Sequence, residues 1–298
     1  MNSYFTTRKS FRNAIPALFI LILTGGVVFL VLITGRQEWR LPIQDSGGER
    51  IKSEKPRPAI ACLKSTNEAE QLKGAIEILE NPEQYRDNIE LILESFRFSK
   101  HAGVRSALAA AMGKIGNNSP AVITALGNAM ENDAHYQVRL NSAKSLRALS
   151  VASGKGMQPG EGAGYGLPAD FKATLNRSFK KALEDPEEDV RMESMRFFFD
   201  NPAKEATAPL VSYIEKRESK NRWKAIEVLG RIKDSSCAPA LLIILQDRSA
   251  DIPTRSRACA VLGLLKHQPA RSIIQQLSQG DQESDLTKVA NETLKTFE

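Results

Sequence analysis

The chain has 298 residues, a formal net charge of +6 and a hydrophobic content of 42%, which is enough apolar material for a sizeable core. Its first 60 residues carry nine basic and four acidic residues, whereas the other 238 carry 32 and 31, so the basic excess originates in the N-terminal segment. A nucleic-acid binder should show positive charge on its folded part, and these totals therefore favour no nucleic-acid partner.

The first feature in chain order is an uncharged run of 21 residues over 14–34, which follows a short basic tail at 1–13. A helix of that length spans about 30 Å, the thickness of the bilayer hydrocarbon. We therefore predict a transmembrane helix over 14–34 that makes the chain a single-pass membrane protein. The alternative is a cleaved signal peptide, but such peptides have a shorter apolar stretch and the exit sequence Leu32-Ile33-Thr34-Gly35-Arg36 is a poor cleavage site.

Basic residues flank this run on both sides, with three before it and two after it: Arg8, Lys9 and Arg12, then Arg36 and Arg40. Because positive charge is retained on the cytoplasmic side of a membrane, the small excess predicts a cytoplasmic N-terminus. The rest of the chain would then lie on the periplasmic or extracytoplasmic side.

A polar linker is predicted over 35–67, and a repeat domain over 68–298. Twelve-residue segments of similar sequence recur along this domain, for example from Val104, Asn221 and Thr254. The seven copies start at Gln71, Val104, Val138, Val190, Asn221, Thr254 and Leu286. All spacings lie near 33 residues except that from Val138 to Val190, which is 52. A fixed period of this length indicates a repeat architecture.

Each copy has the pattern of an amphipathic helix, which we name helix A. Position 5 is small in six of the seven copies and position 9 is apolar in all. At 100° per residue, positions 1, 5, 8, 9 and 12 share one face. A second apolar stretch, helix B, follows most copies, at Ile89–Leu93, Val122–Leu126, Phe171–Leu183, Leu210–Ile214, Leu241–Leu245 and Ile273–Leu277. Such hairpins must stack to bury their apolar faces, which predicts an all-α fold, an α-solenoid.

This pattern resembles HEAT repeats, particularly the short bacterial and phycobilin-lyase-type repeats, over about residues 68–298. The family commonly has Asp before a Val-Arg pair, and Val104-Arg105, Val138-Arg139 and Val190-Arg191 match that pair. The resemblance implies a structural ladder of polar contacts between repeats, made by Arg105, Arg139, Arg191, Arg222 and Arg255. It also implies an armadillo-type superhelix that serves as a scaffold.

Residues that could support catalysis are few. The three histidines, His101, His135 and His267, each lie in a predicted turn, and none has a Cys or a second His at metal-ligand spacing. Ser153-Gly154-Lys155-Gly156 lacks the first Gly and the Ser/Thr of a phosphate-binding loop. We therefore predict no catalytic residue, no cofactor, no metal and no small-molecule substrate.

A glycine-rich insertion at 150–168 accounts for the one long spacing and falls between the A helix and the B helix of the third copy. Ordering so many glycines costs too much backbone entropy for a regular element. The insertion is either a tolerated flexible loop or a partner-binding loop, because long loops on rigid scaffolds often carry function.

A candidate protein-binding patch follows from the helix-A numbering. Positions 3 and 10 lie opposite the core face and should meet solvent. Position 3 is nevertheless apolar in the three middle copies, at Leu140, Met192 and Trp223, and position 10 is apolar in the fourth copy, at Phe199. An exposed apolar patch usually marks an interface. The alternative is that the insertion folds back over it, through Met157, Tyr165 or Leu167.

Two functions remain open at this point. The first is a membrane-anchored HEAT-repeat scaffold or adaptor that binds a protein partner without catalysis. The second is a phycobilin-lyase-like protein that handles a chromophore.

Overall fold

The computed structural model describes residues 21–24, 27–30, 59–152, 169–280 and 284–298. The chain divides into two units, Met1–Glu54 and Lys55–Glu298. In the first unit, strands β1 (Leu21–Thr24) and β2 (Val27–Leu30) pair antiparallel, with Leu21 opposite Leu30 and Thr24 opposite Val27.

The prediction of a membrane helix over 14–34 is wrong, because two paired strands occupy the centre of that segment. Within the described ranges, no helix combines the length and apolar character needed to cross a membrane. This contradicts the predicted anchor at 14–34 and the single-pass localisation built on it. The residues suggest why, since Gly25-Gly26 divides the run into segments rich in β-branched residues and such a Gly-Gly pair is also a hairpin signal.

The described part of the second unit is built from helices. It begins with a short helix, α1 (Ala59–Leu63), which falls inside the segment predicted as a linker and buries Ala59, Cys62 and Leu63. The A helices follow as α2 (Glu68–Glu80), α4 (Ala102–Ile115), α6 (Tyr136–Ala152), α8 (Glu188–Asp200), α10 (Arg222–Ile232), α12 (Ile252–Leu264) and α14 (Asp285–Leu294). The B helices are α3 (Ile89–Phe98), α5 (Pro120–Asn132), α7 (Ala169–Ala182), α9 (Thr207–Glu215), α11 (Ala238–Gln246) and α13 (Arg271–Ser278).

Short 3₁₀ turns join or end some of these helices, at Pro82–Asn88, Lys204–Ala206, Ser235–Cys237, Gln268–Ala270 and Lys295–Phe297. Of the predicted insertion at 150–168, the first three residues complete α6. The remainder, including Met157, Tyr165 and Leu167, lies outside the described residues.

The helix boundaries follow from local chemistry. The Asn67 side chain accepts the backbone N–H of Ala69 at 2.8 Å and so satisfies an open donor at the start of α2. Asp251 does the same for α12 through the N–H of Thr254. Pro120 occupies the first turn of α5, where its missing N–H costs little. Gly116 ends α4 with φ of 75°, a conformation that glycine adopts without strain.

The A helices stack in the expected order, but the helical hairpin consists of a B helix and the A helix that follows it, instead of the expected A helix and the B helix that follows it. Each A helix packs on the next A helix, and each B helix packs on the A helix that follows it. The small side chains at position 5 are fully buried, as at Ala75, Ser142 and Ala258, so neighbouring helices approach closely. A stacked aromatic pair, Phe179 on α7 and Phe197 on α8 with ring centroids 3.9 Å apart, fills the junction after the insertion. The all-α repeat prediction is thus confirmed for 59–152, 169–280 and 284–298.

Candidate protein-interaction surface

The arginine ladder is regular in the second and third copies. Arg105 donates Nε–H and Nη2–H to the two carboxylate oxygens of Asp133, at 2.7 and 2.9 Å. Its Nη1–H reaches back to the carbonyl of Ser99 at 3.0 Å. Arg139 repeats both contacts one copy later, with the carboxylate of Asp185 and the carbonyl of Asp133. Each arginine therefore ties its own helix A to the preceding and following repeats.

Asp133 is held as a carboxylate by these contacts. Burial by itself raises the pKa of Asp133, but the hydrogen bonds from the Arg105 guanidinium and from the backbone N–H of His135 outweigh burial and lower that pKa below its ordinary value. The charge is thus part of the fold and not a reactive group.

The ladder changes at the fourth copy. Ser99, Asp133 and Asp185 each stand six residues before a ladder arginine. In the fifth copy that position is Lys216, before Arg222. A lysine cannot accept from Arg191, and Arg191 instead pairs with Glu188 of its own helix.

Glu188 becomes the centre of a separate network at this point. Its Oε1 accepts the Tyr213 hydroxyl at 2.8 Å and the Asn221 side-chain N–H at 2.6 Å, both from the next repeat. Burial by itself raises the pKa of Glu188. The hydrogen bonds from Asn221, Tyr213 and Arg191 outweigh burial, so the pKa of Glu188 lies below its ordinary value. Burial and the nearby carboxylate together raise the pKa of Tyr213 to about 12. An adjacent cleft of about 460 Å³ is lined by Glu188, Arg191, Tyr213 and Lys216, among others.

The last two ladder arginines bind only backbone among the described residues. Arg222 donates Nε–H to the carbonyl of Ile214 at 2.8 Å, and Arg255 donates to that of Leu245 at 3.1 Å. Of the five predicted ladder arginines, Arg105 and Arg139 form the Arg–Asp pair between repeats. Arg222 and Arg255 reach only the preceding helix B, and Arg191 pairs within its own helix.

The predicted patch is only partly exposed. Leu140 is 5% exposed and does not contribute to a surface. Met192 and Phe199 are half-buried against the core. Trp223 remains 36% exposed. The structure thus corrects the expectation that positions 3 and 10 meet solvent in every copy.

The physical reason is the close approach of successive A helices. A methyl group at Gly113, position 10 of the second copy, would lie 2.9 Å from the Cα atom of Ser145 on the next A helix. At position 3, Ser106 accepts a hydrogen bond from the Asn141 side chain of the next A helix at 2.9 Å. Positions 3 and 10 of the second copy therefore face the following repeat, whereas Trp223 at position 3 of the fifth copy stays partly exposed.

Cationic side chains overlie the two aromatic rings at these positions. Lys224 Nζ lies 4.2 Å from the ring centroid of Phe199, and the Arg231 guanidinium lies 4.9 Å from it. The Trp223 ring has Lys224 at 5.8 Å and Arg257 at 6.0 Å. Cations at such distances are attracted to the ring face. Aromatic and positive groups thus alternate across α8, α10 and α12.

A shallow cleft opens beside Trp223, and we name it the Trp223 groove. It has a volume of about 250 Å³ and is lined by Trp223, Ile252, Pro253, Ser256, Arg257, Ala260, Asp285 and Val289. Ile252 is 50% exposed there. Sequence reasoning missed Ile252 because it precedes the twelve-residue copy. Its signal in the sequence was an apolar residue directly after Asp251, the N-cap of α12.

The remaining candidate chemistry is sparse. In 59–152, 169–280 and 284–298, no group of three or more His, Cys, Asp or Glu residues is arranged to hold a metal ion. His101 pairs through Nδ1 with the Glu68 carboxylate at 2.9 Å. Burial raises the pKa of the Cys237 thiol to about 11, which keeps it protonated and unreactive.

Comparisons with known proteins agree with this architecture. Residues 222–247 match the family described as PBS lyase HEAT-like repeat. Among curated proteins none matches the chain. Of the solved structures, an archaeal HEAT-like repeats protein from Thermococcus onnurineus NA1 has a TM-score of 0.50 and 11% identity, covering 78% of this chain and 97% of that one.

Two further solved structures are similar at lower TM-scores. Human deoxyhypusine hydroxylase, in complex with glycerol, has a TM-score of 0.38 and 17% identity, covering 80% of this chain and 83% of its own. The complex of CpcE and CpcF of phycocyanin lyase from Nostoc has a TM-score of 0.34 and 16% identity, covering 88% and 100%. At these identities no activity transfers to the chain. The described helices and the family match together show an all-α fold of HEAT-like repeats.

Proposed function

We propose that the chain is a scaffold or adaptor that binds a protein partner, without catalysis, through the Trp223 groove and the flanking surface of α10 and α12. The observation that carries this proposal is the exposure of two large apolar side chains, Trp223 and Ile252, at one cleft. Trp is enriched among residues that dominate binding energy at interfaces.

The surrounding repeats support a binding role. In the second copy, polar contacts and close packing cover positions 3 and 10, at Ser106 and Gly113, whereas in the first and last copies these positions hold exposed charged side chains. A rigid stack of helices holds the groove in place without a partner, which limits the entropy lost on binding. Such pre-organised surfaces are the usual use of helical repeats.

A site-specific photocrosslinking experiment tests the proposal. A photoreactive amino acid is placed at Ile252 of the full chain expressed in its own cells, with Ile243 as the matched control. Ile243 is also an exposed isoleucine, at 65%, but it lies on helix B (α11) and outside the Trp223 groove.

We expect one discrete crosslinked protein from position 252 that is absent from position 243. A Trp223→Ala substitution should abolish this product while the chain stays folded, because Trp223 is 36% exposed and is not one of the buried core residues. Identical products from both positions, or products that persist in the Trp223→Ala chain, would rule the groove out as an interface.

A further inference from the structure

We infer that the partner segment seated in the Trp223 groove carries a carboxylate side chain beside apolar ones. This inference rests on the proposed function and deepens it by naming the chemistry of the bound segment. Three observations support it, and they concern the free cations, the apolar lining and the distribution of acidic residues.

Arg257 lines the groove, and Lys224 and Arg231 lie outside its lining, over the ring of Phe199. Lys224 pairs with Glu227 at 2.9 Å. Arg231 and Arg257, by contrast, have no ion-pair partner in the part of the chain that the structure describes, although both are exposed. Each guanidinium lies near an aromatic ring. Its five N–H donors lie in the guanidinium plane and suit a carboxylate bound at the edge.

The rest of the groove suits aliphatic side chains. Ile252, Pro253, Ala260 and Val289 line it together with Trp223. Its volume of about 250 Å³ is below the roughly 300–1,000 Å³ of small-molecule pockets. The space therefore fits one or two side chains of an extended or helical segment better than a cofactor.

Acidic residues at the same surface argue against a nucleic acid. Asp285 lines the groove, and Glu227 lies on the same helix as Trp223. A continuous phosphate chain would pass close to both carboxylates, whereas a peptide can place a single acidic residue next to Arg257 and an apolar one elsewhere. Separate positive and negative groups are typical of protein interfaces that select a register.

A peptide selection tests the inference with a defined probe. Random peptides displayed on phage are selected against the immobilised full chain, and the enriched peptides are measured in solution. We expect enrichment of Asp or Glu next to aliphatic or aromatic residues. Arg257→Glu should weaken their binding about tenfold, the size of one charged hydrogen bond, and replacing the peptide's acid by Lys should restore binding to that variant.

The control variants separate the two proposals. Arg248→Glu reverses an exposed charge in a turn outside the groove and should change nothing. If Trp223→Ala abolishes binding but Arg231→Glu and Arg257→Glu do not, the acidic partner is refuted while the binding site stands. If Trp223→Ala has no effect either, the proposed function fails as well. Displacement of the peptides by a single-stranded oligonucleotide would overturn the inference in favour of a nucleic acid.

Discussion

Arg139 and Asp185 form a bidentate ion pair at 2.7 and 3.0 Å although 46 residues separate them in the chain. The equivalent pair one copy earlier, Arg105 and Asp133, is separated by 28 residues. The additional residues belong to the insertion between α6 and α7. Stacking of the repeats therefore keeps the same register across the insertion, and the ion pair joins its two sides.

Arg139→Met should destabilise the chain by about 3 kcal/mol, because it leaves the carboxylate of Asp185, only 6% exposed, without a counter-charge. Urea unfolding followed by circular dichroism measures the loss. Removing both charges with Arg139→Met and Asp185→Leu should recover most of it. Arg86→Met, which breaks an exposed pair with Glu83, should cost less than about 1 kcal/mol. Equal losses for Arg139→Met and Arg86→Met would contradict a structural role for the ladder.

Acid should weaken the ladder through Asp133. The folded-state pKa of Asp133 is lowered, so its contribution to stability is complete above the unfolded pKa of about 3.9 and is lost as pH falls through the lower folded value. Asp133→Asn should therefore be less stable than the original chain at neutral pH, and the difference should shrink below about pH 4.

Thermal midpoints across that pH range decide this prediction. Asp87→Asn, at an exposed carboxylate, is the matched control and should follow the original chain at every pH. A constant gap between the Asp133→Asn chain and the original would show that the loss comes from packing instead of charge.

The helices and the stacking of the A helices could be predicted from the sequence because their period and small position-5 residues are local features, whereas the pairing of each B helix with the following A helix depends on tertiary packing. The burial of positions 3 and 10 could not be predicted in this way. The sequence pattern of a single helix shows only one core face, whereas a stacked helix A also contacts the A helices on both sides. Leu140 is buried by that second contact, which depends on helix separation. Trp223 stays exposed since its side chain is larger than the space available.

The strands at Leu21–Thr24 and Val27–Leu30 show a different limit. Length and hydropathy favoured one membrane helix over the whole run, and both signals ignore the order of residues within it. Gly25-Gly26 and the β-branched residues around it carry the competing hairpin signal. The sequence shows that Lys216 stands where the ladder needs an acceptor. It does not show that Tyr213 and Asn221 bind Glu188 instead, because that contact joins different repeats.

Gly113→Ala should destabilise the chain despite the higher helix propensity of alanine. The new methyl group would meet Ser145, whose Oγ and Cα atoms lie 2.3 and 2.9 Å from its position, and overpacking of this kind costs about 1–3 kcal/mol. Gly103→Ala is the matched control, since its nearest neighbour is the Cδ1 atom of Leu72 at 3.6 Å. That change should stabilise α4 by about 0.5–1 kcal/mol. Urea midpoints should thus move in opposite directions, and movement of both in the same direction would contradict the close A–A contact.

Tyr213→Phe should produce a stability difference that depends on pH. It removes one donor from Glu188, which keeps Arg191 and Asn221, so we expect a loss of about 1 kcal/mol near neutral pH. The pKa of Tyr213 is raised from about 10 in the unfolded chain to about 12 in the folded one. Its contribution is therefore complete below about pH 10 and is lost as pH rises through the folded value. The free energies of unfolding of the two chains should converge over that interval, while other titrating groups cancel in the difference. Curves that stay parallel to about pH 12 would show that the hydroxyl does not bind the carboxylate.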